Sequence, residues 1–247
     1  MADVMVGSAR IDENGNATGG KPGDQKSGKE VSTQKWYEHD KGWRVFRAKD
    51  PVKAALIGQA MLDACNNDKI GYDQGDRYDL FKEAKKVGFD LSLVDVPTET
   101  DCSELVRTCC AFAGIMNLPT SGFRTGNMPE NLMATGEFVE LTGDKYTKSP
   151  DYLGQGDILV TKKSGHTVVV LNYGKKYERE IVSDPDMLTV KGYNWNVRTG
   201  PATSYKSVGQ LDDGDQVRRV DTTDWIPVIY KGEVCFMHKD AFVRVDN

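Results

Sequence analysis

The hydrophobic period of the chain changes at Gly156, and that change restricts the fold more than any other feature. Before it, apolar residues recur three and four positions apart, as on one face of a helix. Val52, Leu56, Ala60 and Ala64, with Ile57 and Met61 beside them, form such a stripe after an Asp50-Pro51 start. Tyr78, Phe81, Ala84 and Val87 form a second over about 77–87, closed by Gly88. A third opens at Asp101, a good N-cap, with Glu104 three residues on as in a capping box. Leu105, Cys109 and Phe112 make one of its rows, Val106, Cys110 and Ala113 the next, and Gly114 ends it. A short helix is expected near 129–134. After Gly156, residues 157–161, 166–171 and 177–182 read as strands, the last two joined as a hairpin by Asn172-Tyr173-Gly174-Lys175-Lys176. Helices followed by an antiparallel sheet is an α+β order.

Two further segments flank this core. Residues 8–50 are polar and glycine-rich, with apolar clusters only at Trp36-Tyr37 and Trp43-Arg44-Val45-Phe46. They read as an irregular arm (about 1–50) with one or two short elements, anchored by its aromatics. Residues 188–247 are short β-like runs broken by Gly200-Pro201, Asp213-Gly214 and Lys231-Gly232. That spacing predicts a small all-β barrel. The expected domains are therefore 1–186 and 187–247.

The formal charge is −5, which does not favour non-specific nucleic-acid binding. From Met187 onward, eight acidic and eight basic residues cancel, so the whole excess lies on the first domain. No stretch approaches the roughly 18 apolar residues of a membrane span. The N-terminus has neither a basic n-region nor a long apolar core, so the expectation is synthesis without a secretory signal, in the cytoplasm. Five cysteines, an odd number, do not suggest a disulfide framework. The three histidines, His39, His166 and His238, are scattered rather than paired, which argues against a zinc hydrolase. No metal or other cofactor is expected.

The chemistry centres on Cys102 and His166. Cys102 lies on the first helical turn after Asp101, where unpaired amides and the helix dipole favour a thiolate. His166, after Gly165, stands at the mouth of the apolar strand Val168-Val169-Val170-Leu171. An imidazole there can serve as base to the thiol, and amides at the helix start can hold an oxyanion. Taken alone, Cys102 could equally be a small buried hydrophobe. His39, among Glu38, Asp40 and Lys41, reads as a surface residue. An orienting partner for His166 must come from an adjoining strand, because Asn172 on its own strand is about 20 Å away. Folding a hairpin about Gly174-Lys175, with one bulged residue, brings Glu180 to His166. Asp184 is close behind, and a bare Cys-His dyad is a third arrangement.

Asp101-Cys102-Ser103-x-Leu105-Val106, then Gly156-Asp157-Ile158, then Gly165-His166-Thr167-Val168-Val169-Val170 together resemble the NlpC-type cell-wall cysteine peptidases. Their superfamily includes the CHAP amidohydrolase/peptidases. The motifs keep the family's order across about 70–182. The resemblance implies a papain-like α+β fold, peptidoglycan as substrate, Cys102 as nucleophile and His166 as base. It implies an oxyanion role for a tyrosine ahead of the cysteine, here Tyr72, though farther ahead than in the family. A polar residue, often histidine, follows the family's base by about a dozen positions; Glu178 and Glu180 stand there instead. The arm with Gly23-Asp24-Gln25 looks like the amino-terminal segment of phage lysins, which would make Gln25 an oxyanion donor.

Asn196-Val197-Arg198-Thr199-Gly200-Pro201, with Val208-Gly209, Gly214 and Glu233-Val234-Cys235-Phe236-Met237, resembles bacterial SH3-like cell-wall-binding domains. The resemblance offers Tyr193, Trp195, Tyr205 and Trp225 for stacking on peptide or glycan, with half of them expected in the barrel core. The whole chain then reads as an endolysin that cuts a stem-peptide amide at the bacterial cell wall. The favoured bond joins D-glutamate to the diamino acid. The alternative is the N-acetylmuramoyl-L-alanine amide, as in CHAP amidases. A non-catalytic wall binder and a glycosidase are the rivals from other classes. A glycosidase would need two carboxylates flanking a sugar and would survive loss of Cys102.

Overall fold

The computed structural model describes residues 3–25, 29–163, 165–177, 187–198, 203, 206–218, 225–230, 233–238 and 241–244. The chain divides into two compact units, Met1–Glu178 and Arg179–Asn247.

In the first unit the elements run β1 (Met5–Ala9), β2 (Val31–Lys35), β3 (Trp43–Ala48), α1 (Pro51–Cys65), β4 (Ile70–Tyr72), α2 (Asp79–Lys86), β5 (Thr98–Thr100), α3 (Cys102–Phe112), α4 (Met128–Ala134), β6 (Phe138–Leu141), α5 (Asp144–Thr147), β7 (Ile158–Thr161) and β8 (Thr167–Val170). Six strands form one sheet in the order β2-β1-β8-β7-β3-β6, and every pairing is antiparallel. β4 and β5 form a separate parallel pair immediately ahead of α3.

The helices follow the sequence periodicity closely. Asp50 caps α1 by accepting from the Val52 N–H, and Pro51 occupies the first turn, where its missing N–H costs nothing. The buried stripe of α1 includes Ile57, Ala60, Met61 and Ala64. With α3 it encloses the main core, among Leu80, Leu105, Phe46, Ile158 and Val169. Burying one such large side chain contributes about 2 kcal/mol. α3 is buried from Cys102 through Ala111, so Cys109 and Cys110 are core residues, and all five cysteines are free thiols. A second cluster, Val6, Trp43, Val45, Leu159, Val168 and Val170, covers the opposite face of the sheet.

The arm is not irregular. It supplies β1, β2 and β3, half of the main sheet. This changes the surroundings of β8, which β7 flanks on one side and β1 on the other. The hairpin expected to follow β8 therefore has no open edge to pair with. Residues 178–182, which the sequence marked as its second strand, lie outside the described residues. The Asn172 side chain accepts from the Met5 N–H and donates to the Asp3 carbonyl, which clamps the start of β1.

The second unit contains β9 (Met187–Val190), β10 (Trp195–Arg198), β11 (Ser207–Leu211), β12 (Gln216–Arg218), β13 (Trp225–Tyr230), β14 (Glu233–His238) and β15 (Phe242–Arg244). Sheets β11-β10-β14-β13 and β12-β9-β15 enclose a small core of Leu188, Val190, Val197, Leu211, Val217, Val228, Cys235 and Met237. This is the small all-β unit the turn spacing predicts.

Gly156, where the sequence period changes, has φ +82°, and a Cβ there would run into the Ala54 carbonyl of α1. Gly15 has the same φ of +82° with nothing within 4 Å of a built Cβ. Gly15→Ala should therefore cost only the left-handed backbone term, about 1 kcal/mol. Gly156→Ala should cost at least about 3 kcal/mol, because helix and strand must separate as well. Urea unfolding of both variants checks this, and equal midpoints would refute the close approach.

Candidate active site

The start of α3 is fixed by a buried ionic network. Asp101, extended at φ −110° and ψ 175°, caps the helix by accepting from the Glu104 N–H at 2.8 Å and the Ser103 hydroxyl at 2.9 Å. Arg77 grips the same cap: Nη1 lies 3.1 Å from Asp101 Oδ2, and Nη2 donates to Ser103 Oγ and the Phe123 carbonyl. Glu104 does not complete a capping box. Its carboxylate turns to Arg107 at 2.6 Å, and the Arg107 guanidinium lies over the Phe81 ring, 3.6 Å from its centroid. The reciprocal bond lost by Glu104 is replaced by an ion pair inside the core.

Cys102 is the first residue of α3, only 7% exposed. The Thr167 and Ser103 backbone amides lie close enough to its thiol to lower its proton affinity. Thr167 opens β8, and His166 directly precedes it. The helix start and the strand start thus meet, and the thiol lies against the backbone next to the imidazole.

The pair rests uncharged. Burial, assisted by the Asp101 carboxylate, pushes the Cys102 thiol up to about 12 against the opposing pull of the Thr167 and Ser103 amides and of Arg77. Burial pulls His166 down to about 4, with His39 and Arg10 adding to the effect. The sequence favoured a thiolate on the strength of the helix dipole. That dipole supplies about 1 kcal/mol, whereas taking an ion out of water costs several, so desolvation wins.

The surroundings come from both expected and unexpected segments. Tyr72, 4% exposed on β4, is close enough to Cys102 to respond to its charge; its hydroxyl accepts from Gln74 Nε2 at 2.9 Å. Tyr37 from the arm also responds to Cys102, and its ring packs edge-on against Trp43 at 5.6 Å. His39 is half-buried rather than on the open surface, because its ring packs against Trp43 at 5.1 Å and Nδ1 accepts from the Lys41 N–H. Tyr37, His39 and Arg10 were missed as site residues. The two aromatic clusters of the arm were the signal that could have found them.

Other candidates are placed elsewhere. Gln25 is exposed, and both of its amide hydrogens go to its own loop, to the Pro22 and Gly23 carbonyls. That leaves it no donor for an oxyanion. Glu178, Glu180 and Asp184 lie outside the described residues. β1 occupies the edge of β8 on which the pairing of Glu180 with His166 was expected. No hydrogen bond to the His166 ring is formed among the described residues. In the second unit, Tyr193 is 73% exposed. Trp195 packs partly against the barrel core and donates to the Lys191 carbonyl. Trp225 opens β13, and Tyr205 lies outside the described residues.

Glu99, three residues before Cys102, was also missed. It is 2% exposed on β5, opposite Gly71 of β4, and neither carboxyl oxygen has a hydrogen-bond partner. Burial, with Glu30 and Asp73 adding to it, pushes its carboxyl up to about 8. Among the described residues, no three His, Cys, Asp or Glu side chains are grouped to hold a metal ion.

Fold and site thus define a two-unit protein, an α+β domain with a buried thiol beside a histidine, followed by a small β barrel. Residues 6–177 match the endolysin-like domain family and residues 194–242 the bacterial SH3 domain family. The chain belongs to the endolysin-like domain family. An endolysin-like domain joined to a wall-binding SH3 domain is the organisation of a peptidoglycan hydrolase that works at the cell wall. No curated protein matches the chain. Among the described residues no helix is long and apolar enough to cross a membrane.

Two pH measurements follow. The His166 imidazole should titrate near 4 by NMR, and alkylation of Cys102 should keep accelerating with pH through 9. A plateau in alkylation rate above pH 5 would instead reveal a thiolate–imidazolium pair. Glu99 has the opposite sign from a salt-bridged acid. An unfolded glutamate ionises near 4.3, while the folded one holds its proton to about 8. Stability therefore falls as pH rises through that window. Glu99→Gln should melt several degrees above wild type at pH 8, with the gap closing toward pH 4.5; a pH-independent gap would sink this assignment.

Proposed function

We propose that the first unit is a thiol amidohydrolase that cleaves a stem-peptide amide of peptidoglycan, with Cys102 as nucleophile and His166 as general base. The observation that carries this reading is the meeting of the α3 start with the β8 start: the Thr167 amide lies close enough to the Cys102 thiol to lower its proton affinity, and His166 directly precedes Thr167. The pair works as a dyad from an uncharged resting state. As substrate enters, His166 takes the thiol proton while sulfur attacks the scissile carbonyl. The backbone N–H of Cys102 and the hydroxyl hydrogen of Tyr72 stabilise the oxyanion. Collapse breaks the C–N bond, and His166 passes its proton to the leaving amine. Water, deprotonated by His166, then hydrolyses the thioester and frees the thiol.

The bond we favour joins D-glutamate to the diamino acid, and the SH3 unit keeps the enzyme on its polymeric substrate. Tyr193, exposed at 73%, offers a stacking face to the wall. A neutral dyad has a practical advantage: the thiol stays unreactive until a substrate carbonyl is in place to be attacked.

Digestion of purified Gram-positive peptidoglycan, followed by mass spectrometry, tests the reading. Wild type should release peptide fragments, and Cys102→Ala should release them at least about a thousandfold more slowly. A new diamino-acid N-terminus would name the endopeptidase bond; a new L-alanine N-terminus would name the amidase bond. Undiminished digestion by Cys102→Ala would overturn the thiol mechanism.

A further inference from the structure

We infer that Arg10 forms a carboxylate-binding subsite beside the dyad and reads a free carboxylate next to the scissile bond of the substrate. This rests on the reading of the site as one that binds a peptidoglycan stem peptide. In the β1–β8 ladder Val6 pairs with Val170 and Gly7 with Val169. Carried three residues further, that register sets Arg10 across from His166. Side chains alternate along a strand, so Arg10 lies in the row of Val6 and His166 in the row of Val168 and Val170. Val6, Val168 and Val170 share one face of the sheet with Trp43, and Tyr37 packs against them. Arg10 therefore shares a face with His166, Tyr37 and Trp43.

The guanidinium there is underused. Arg44, Arg47, Arg77 and Arg107, the other arginines of this unit that are not fully exposed, each pair with a carboxylate. Among the described residues Arg10 pairs with none: its Nε is buried without a hydrogen-bond partner, and its one side-chain bond there is a long one, 3.4 Å from Nη2 to the Ser32 carbonyl. A guanidinium carries five donors in a planar fork suited to two carboxylate oxygens. Leaving one half-buried and unpaired is costly, and the cost falls away when an anion docks. The surrounding groups are neutral at pH 7, the Tyr37 phenol raised by burial and the Cys65 thiol pushed up to about 12. No described neighbour supplies the missing anion.

The stem peptide supplies it. Glutamate linked through its γ-carbonyl leaves its α-carboxylate free beside the amide that Cys102 would attack. Seated on Arg10, that carboxylate would orient the scissile carbonyl relative to the thiol. Amidation of the same carboxylate removes the charge and one acceptor oxygen, so the subsite distinguishes carboxylate from carboxamide peptides.

The test uses the full chain as Cys102→Ala, which can bind without turnover. Two synthetic tripeptides, L-Ala-γ-D-Glu-L-Lys with the α-position as carboxylate or carboxamide, are titrated by calorimetry and NMR. Cys102→Ala should bind the carboxylate at least about tenfold more tightly, as for one charge-assisted pair. Adding Arg10→Gln should abolish the preference, and Arg10→Lys should keep part of it. Bound carboxylate should also raise the His166 titration midpoint by screening Arg10, whereas carboxamide should not. This last readout needs no change at Arg10 and stands if Arg10→Gln folds poorly. Equal binding of the two peptides, or a preference that survives Arg10→Gln, would overturn the subsite. Activity of Cys102→Ala on whole peptidoglycan would overturn the thiol mechanism separately, leaving the binding comparison to decide on Arg10.

Discussion

The pairing of β1 with β8 is the contact on which the site depends. β8 carries His166 at its mouth and places the Thr167 N–H against the Cys102 sulfur. A short strand of four residues holds such a position only when both of its edges are paired. β7 secures one edge and β1 the other. Because β1 comes from the chain's first residues, closing that edge joins segments about 160 positions apart. The cost of that long loop closure grows only slowly with length. The gain is an apolar face of Val6, Val168 and Val170 on the side of the sheet opposite the main core.

A second constraint acts from the helix side. The Asp101 cap, the Arg77 clamp and the Arg107–Glu104 pair all act on the first two turns of α3. Breaking one partner of a buried pair leaves a charge without compensation, which costs more than the intact pair contributes. The network therefore acts less as a source of stability than as a lock on geometry. It holds Cys102 at the helix start while leaving the sulfur protonated. Asp101 raises the thiol's proton affinity more than Arg77 lowers it, so these two charges together favour the protonated thiol. Burial then decides the charge state.

The helical half of the first unit was legible because its signals are local. Asp50-Pro51 and Asp101 mark helix starts, and Gly88 and Gly114 mark ends, within a residue or two of where α1, α2 and α3 begin and finish. The meeting of Cys102 with the His166 segment was legible from the two termini and their motifs. The sheet was not. Met5–Ala9 is short and small-residue-rich and Val31–Lys35 is polar, so neither alternates clearly, and their strand character comes from partners elsewhere in the chain. Missing β1 left β8 with an apparent free edge, and the search for a partner to His166 then went to the following segment. The charge state was missed for another reason. The helix dipole can be read from position alone, but burial needs the fold.

These two misreadings have one physical origin. The arm that closes the sheet also brings Tyr37 within electrostatic reach of Cys102, and His39 and Arg10 within reach of His166, where burial lowers His166 and raises Cys102. It also carries the Arg10 guanidinium, which has no counter-ion among the described residues. On the proposed reading of Cys102 and His166 as an uncharged dyad, Arg10 gives the site a positive field that an incoming anion would weaken. When a substrate carboxylate docks on Arg10, the field opposing protonation of His166 weakens. Its proton affinity then rises toward what a general base requires, at the moment the scissile carbonyl arrives. Recognition and activation would then be one electrostatic event, and the polar arm that looked dispensable in the sequence would be the element that links them.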